Sequence, residues 1–183
     1  GHTGFKGSWL TIWLNLLGAE LYGLSNNVPT KPSLFKEAKL DNLIENNIVD
    51  IRDLNKVNSI INNIKPDFIF HLAAQPLVSF SYLNPALTWE TNVMGTVNIL
   101  ESLRKLNKNC IGIIITSDKC YENQEWEWGY RESDRLGGGD PYSASKGSAE
   151  LVFKSYFESF FSKNEFSQIR IASARAGNVI GGG

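Results

Sequence analysis

Apolar and polar positions along the chain alternate between a helical period and short, nearly continuous apolar runs. Residues 8–17, "SWLTIWLNLL", have helical spacing and are predicted as a first helix, with "AELYGLS" as the strand that follows. Pro29 and Pro32 mark a loop, after which "SLFKEAKLDNLIENN" is polar and partly helical. "IVDIRD" precedes "LNKVNSIINNIKP", a predicted helix with Leu54, Val57, Ile60, Ile61 and Ile64 on its apolar stripe, stopped by Pro66. "DFIFHLAA" and "CIGIIITSD" read as strands buried on both faces, separated by a helix over 88–106. "YSASKGSAELVFKSYFESFF" returns to helix, and "QIRIASARAGNVIGGG" is a last strand running into a glycine loop. This alternation predicts an α/β fold with a parallel sheet and one domain over 1–183.

One segment breaks the alternation. "ENQEWEWGYRESDRLGGGDP" mixes aromatics, charges and glycines after the strand of 110–118, where open α/β sheets place their ligands. Trp126, Trp128, Tyr130 and Arg131 within it are candidates to line a pocket or to pack on another part of the protein.

Composition narrows the function classes. Lys plus Arg number 18 against 19 Asp plus Glu, so no overall charge draws the chain to nucleic acid or to a membrane surface. Cys110 and Cys120 lack the spacing of a zinc site or disulfide framework and are expected as reduced thiols; no metal is expected. No run is long and apolar enough to span a bilayer, and a cytoplasmic location is the expectation.

The residues that could carry chemistry come in three groups. Gly1, Gly4 and Gly7 form a Gly-x-x-Gly-x-x-Gly turn ahead of a helix, which lets backbone approach a pyrophosphate at the helix N-terminus. Tyr142 and Lys146 stand four residues apart at the start of a helix, on one face. A free tyrosine titrates near pH ~10, so a neighbouring ammonium that favours the phenolate would make it a usable base. Ser117 and Asp118 end the Ile-rich strand, where Ser117 could hold a hydroxyl that Tyr142 deprotonates. Each group alone has an ordinary structural explanation, whereas chance would seldom produce their order along one chain.

"GHTGFKG", "DIRD", "HLAAQP", "NVMGTVNILE", "TSDKCYE", "DPYSASK" and "RAGNVIGGG" together make the chain resemble the extended short-chain dehydrogenase/reductase family. Within it the resemblance is to the nucleotide-sugar 4,6-dehydratases, in particular those acting on CDP-glucose. The resemblance implies a Rossmann-type, doubly wound parallel sheet and NAD as a recycled cofactor, with NADP open because Ser25 stands where an acidic residue ends the second strand in many NAD sites. Gly1, Gly4, Phe5, Lys6, Gly7, Asp50, Ile51, Ala73, Ala74, Gln75, Tyr142 and Lys146 would hold the cofactor. Ser117, Gln75 and Asn178 would meet the nucleotide-sugar substrate. Tyr142, Ser117 and Lys146 would oxidise carbon 4, and Asp118 and Lys119 would eliminate water as acid and base. Arg175 would serve structure. A homodimer through the helix after Tyr142 and the helix containing Asn92 is also implied.

The family carries a first strand ahead of its glycine turn and a longer substrate-binding part after its last glycines. The present sequence is therefore expected to be truncated at the first strand and before most of the substrate domain, and to be poorly stable by itself. An epimerase or reductase of the same family, or a non-catalytic nucleotide-binding regulator, are the alternatives.

Overall fold

A computed structural model of the chain describes residues 1–166 and 168–182. Five parallel-paired strands lie in two sheets. Helix α1 (Phe5–Leu16) leads to β1 (Tyr22–Ser25), which pairs with β2 (Glu45–Ile48), Tyr22 opposite Glu45. A short helix α2 (Leu34–Glu37), capped by the Ser33 hydroxyl accepting from the Lys36 amide, lies between them. After α3 (Leu54–Ile64) comes β3 (Phe68–His71), then α4 (Val78–Leu83), α5 (Pro85–Trp89), α6 (Gly95–Lys105) and β4 (Cys110–Ile115). The irregular segment follows, then α7 (Pro141–Tyr156) and β5 (Ile169–Ala174). The second sheet runs β3-β4-β5, with Phe68 opposite Ile111 and Cys110 opposite Ile169.

The core forms where α3 and α6 cover one face of the β3-β4-β5 sheet. Val57, Ile61, Leu100, Leu103, Ile114 and Ile169 are each almost wholly buried there. Each such side chain contributes on the order of 2 kcal/mol of apolar burial. Gly112 permits the close approach of α6, since a Cβ at that position would stand 2.7 Å from a Leu103 methyl.

Several elements depart from the sequence expectations. The strand beside β1 is "ENNI", ahead of the apolar "IVDIRD" stretch, and it is polar because both of its faces are largely exposed. Helix α4 was not expected. The helix expected over 88–106 begins earlier, at Pro85, and α5 passes into α6 through a π-helical turn over Glu90–Met94. Such turns alter which residues face inward, and Asn92 in this one is buried.

Strands β1 and β3 belong to separate sheets, and residues 1–4 sit between their carboxyl ends. The Gly1 nitrogen donates to the Leu24 carbonyl, while the Gly1 Cα abuts the backbone of Ala73 closely enough that a Cβ would meet it at 2.7 Å. A cleft of about 1320 Å³ opens there and continues between the two sheets, reaching Leu21–Ser25 on one wall and Phe68–Leu72 on the other.

Candidate active site

The floor of the cleft is the glycine turn. A Cβ on Gly7 would approach the Gly1 carbonyl oxygen to 2.3 Å, so this turn accepts no larger residue there. Gly4 is the N-cap of α1 and offers no side-chain cap, which leaves the first-turn amides of the helix free for an anion. Thr3 Oγ1 bonds Ser25 Oγ at 2.5 Å and donates to the Asn27 carbonyl, locking the turn to the end of β1. Ser25, the residue in place of the expected carboxylate, is thus committed to the turn. His2, buried beneath, hydrogen-bonds Asn46 of β2 at 2.8 Å.

Tyr142 and Lys146 come from the opposite wall. Asp140 caps α7, accepting from the Ser143 amide at 3.0 Å and its hydroxyl at 2.6 Å, and Pro141 takes the first helical position. That cap sets where the helix starts and therefore where both side chains project. Both are buried and line the cleft with Thr116, Ser117 and Lys119. Burial pushes the Tyr142 phenol above its usual range, with Asp118 and Asp140 adding to the rise and a hydrogen bond with Ser117 opposing it. The expected ammonium effect is not what dominates at this tyrosine. Burial, then the nearby Lys6, brings Lys146 down to about 8, against the opposing pull of Cys120 and Glu150.

Beneath them lies neutral and charged bracing. His71 at the end of β3 is held near pH 3 by burial and then by Lys146, so it is neutral, and its Nε2 lies 3.2 Å from Thr96 Oγ1. Asn92 exchanges hydrogen bonds with the backbone of Gln75 at 2.8 and 3.1 Å and donates to Ser145 Oγ at 2.9 Å. The π-helical turn thereby ties the loop after β3 to α7. Glu150, buried on α7, is bonded by Thr116, Ser173 and Arg175. Neither Asn92 nor Glu150 stood out as a site residue in the sequence. The available signals were a carboxylate one turn beyond Lys146 in an apolar helix and an amide in "TNVMGT".

The other candidates divide. Gly1, Gly4, Phe5, Lys6, Gly7, Asp50, Ile51, Ala73, Ala74 and Asn178 line the cleft. Asp50 also takes a forked bond from Arg52, which reaches Glu90 as well, and this holds its carboxyl below the usual range. Gln75 lies outside the lining: its amide donates to Thr88 Oγ1 at 2.9 Å and to the Leu77 carbonyl at 3.1 Å. Asp118 also lies outside, its carboxylate accepting the Ser117 hydroxyl at 3.1 Å and its amide bonded to the Ala176 carbonyl. Trp126, Trp128 and Tyr130 cluster on one another and on Tyr121, away from the cleft. Cys110 and Cys120 are buried free thiols. Among the described residues no group of three or more His, Cys, Asp or Glu could hold a metal, and no helix is long and apolar enough to cross a membrane.

The profile of the GDP-mannose 4,6 dehydratase family matches residues 1–171. The chain belongs to that family. It is 52% identical to CDP-glucose 4,6-dehydratase of Salmonella typhimurium over 100% of this chain and 52% of that protein. It is 35% identical to CDP-paratose 2-epimerase of Salmonella typhi over 61% of this chain and 37% of the relative. The structure superposes on UDP-glucose 4-epimerase of Thermus thermophilus, solved in complex with NAD, with a TM-score of 0.77 and 25% identity, covering 96% of this chain and 52% of that one. The fold is thus the Rossmann-type α/β architecture expected from the sequence. The chain spans about half of the length of the dehydratase it matches.

Proposed function

We propose that the protein carrying this chain is a CDP-glucose 4,6-dehydratase that uses NAD. The observation that carries this reading is the 52% identity to a CDP-glucose 4,6-dehydratase along the whole chain, in which Ser117, Lys119, Tyr142 and Lys146 converge on one cleft. The residues fit a dinucleotide: a turn packed too tightly for any Cβ at Gly7 and uncapped amides at the start of α1 suit a pyrophosphate. Gly1, Gly4, Phe5, Lys6 and Gly7 would hold it, Asp50 and Ile51 the adenine end, Ala73 and Ala74 the middle, and Tyr142 and Lys146 the nicotinamide ribose.

Bound NAD supplies a hydride acceptor and then, within the same turnover, the donor. Tyr142 removes the proton from the sugar 4-hydroxyl, which Ser117 orients. The 4-ketone that results acidifies the proton on carbon 5. Lys119 removes that proton, which requires its neutral form, and Asp118 protonates the departing 6-hydroxyl. Gln75 contributes by holding the loop beside the sugar, and Asn178 meets the substrate directly.

The second reading is a nucleotide-sugar epimerase, supported by the identity to CDP-paratose 2-epimerase and by Asp118, whose carboxylate is turned toward Ser117 and outside the cleft lining. Incubating the intact protein with CDP-, dTDP-, GDP- and UDP-linked hexoses and following mass separates the two. Loss of one water from CDP-glucose is the expected result, whereas a changed stereocentre with no change in mass establishes the epimerase. A homodimer is part of the reading, supported by Trp89, Met94 and Leu151, exposed on the helices that carry Asn92 and Tyr142, and by Phe157, exposed just past the end of α7. Phe157→Glu is expected to lower the mass seen by light scattering, and an unchanged mass removes that interface.

A further inference from the structure

The most deeply buried carboxylate beside the site plays no part in the proton transfers above. Glu150 is 3% exposed, one turn beyond Lys146 and two beyond Tyr142 on α7. A charge at such depth is costly to desolvate unless both oxygens are paired. One oxygen accepts the hydroxyl of Thr116, the residue that precedes Ser117. The other accepts Arg175 Nη2 at 2.9 Å and the Ser173 hydroxyl at 3.3 Å. Through Nη1, Arg175 donates to the Tyr121 hydroxyl and to the Glu132 carbonyl, each at 2.9 Å, and its guanidinium lies over the Tyr121 ring. This single pair therefore joins α7 to the ends of β4 and β5 and to both sides of the turn that carries Ser117, Asp118 and Lys119.

Apolar side chains would hold these elements together at least as stably, since a buried ion pair rarely outdoes well-packed hydrophobic residues. What the pair adds is direction: hydrogen bonds fix the height of α7 against β4, and Ser117 and Tyr142 come from those two elements. We propose that Glu150 and Arg175 act as one positioning unit, fixing Ser117 of the β4 end against Tyr142 and Lys146 of α7. The proposal rests on the oxidoreductase reading of those three residues. The titratable groups about Lys146 are Lys6 from α1, His71 from β3, Cys120 from the turn after β4, and Tyr142 and Glu150 from its own helix. Of these, His71 is neutral, and the Glu150 carboxylate favours the protonated Lys146.

The test compares Glu150→Ala, Arg175→Ala, the double variant and the isosteric Glu150→Gln in the intact protein. Each alanine variant is expected to lower kcat by about 100-fold with KM for the nucleotide sugar little changed, and the double variant to be no worse than the poorer single one. Glu150→Gln keeps the shape and is expected to move to lower pH the midpoint at which acetic anhydride labels Lys146, read by mass spectrometry. If the alanine variants do not fold, Glu150→Gln decides. Unchanged kcat in the alanine variants, or an unmoved Lys146 midpoint in Glu150→Gln, overturns the proposal. Labelling needs no turnover, so a parent protein that dehydrates no sugar fails the proposed function and leaves this test standing.

Discussion

The two walls of the cleft are built from different materials. On the side of β1 and β2, the glycine turn is held by backbone, hydroxyl and amide groups: Thr3 with Ser25 and Asn27, and His2 with Asn46. Its charges, Asp50, Arg52 and Glu90, are half-exposed. On the side of β4 and α7, three charged side chains go inside: Lys146 and Glu150 are buried and Arg175 is nearly so. Binding a pyrophosphate asks for free amides in a fixed curve, which backbone geometry provides. Moving protons asks for groups whose charge is governed by their surroundings, and burial is a strong means to that end.

The comparison breaks most sharply at Tyr142. Replacing it with Phe would remove the proposed proton acceptor while leaving the α7 cap and the glycine turn untouched, so turnover is expected to fall by about 10²–10⁴-fold with cofactor affinity nearly unchanged. Equal losses in turnover and cofactor affinity, measured by steady-state rates and by NAD titration, would mean the walls do not divide the work in this way. The opposite wall is probed by Gly7→Ala, whose Cβ would meet the Gly1 carbonyl at 2.3 Å. Backbone cannot move aside as a flexible side chain can, and the expected cost is about 1–3 kcal/mol in unfolding free energy together with weaker NAD binding. Calorimetry and titration on the same variant check both.

The buried wall also sets a pH dependence. His71 binds its proton near pH 3 in the folded protein and near 6.5 when unfolded, so between those values the unfolded chain holds more protons. Stability conferred by neutral His71 is complete above about pH 6.5 and is lost as pH falls toward 3, by roughly tenfold in the folding constant per pH unit within that window. Lys146 acts in the same direction at higher pH. Its folded value of about 8 lies below the ordinary 10.5, so stability rises between the two as the folded form releases its proton first. Denaturant titrations across pH on His71→Gln, set against the parent, are expected to flatten the acid limb alone.

What the sequence disclosed follows the same division. The buried strand of 110–115 and the convergence of Ser117, Tyr142 and Lys146 on one cleft were legible, because an Ile-rich run fixes the strand and a Tyr-x-x-x-Lys at a capped helix start puts both side chains on one face. Strand β2 was not legible, since "ENNI" has polar residues at an exposed edge and its strand character comes from pairing with β1 alone. The π-helical turn at Glu90–Met94 was hidden inside a continuous helical pattern, so Asn92 gave no sign that it would reach both Gln75 and Ser145. Gln75 and Asp118 were identified by type and position, yet their side chains turn toward Thr88 and Ser117, a choice set by partners distant or adjacent that no periodicity encodes. Glu150 was not singled out, because its partners Thr116, Ser173 and Arg175 come from the ends of β4 and β5.

The smallest effect belongs to Arg52. Its guanidinium forks onto Asp50 and reaches Glu90 at 2.8 Å, but all three groups are substantially exposed, where such pairs contribute about 0–1 kcal/mol and are screened by salt. Arg52→Ala is therefore expected to leave thermal stability within that range. It also frees the Asp50 carboxylate, which the proposed function puts at the adenine end of a dinucleotide, so NAD affinity should change by no more than a few-fold and lose little of its dependence on salt. A large loss of stability in this variant would mean that the glycine-turn wall leans on charge as the α7 wall does, and the contrast between them would have to be drawn from backbone geometry alone.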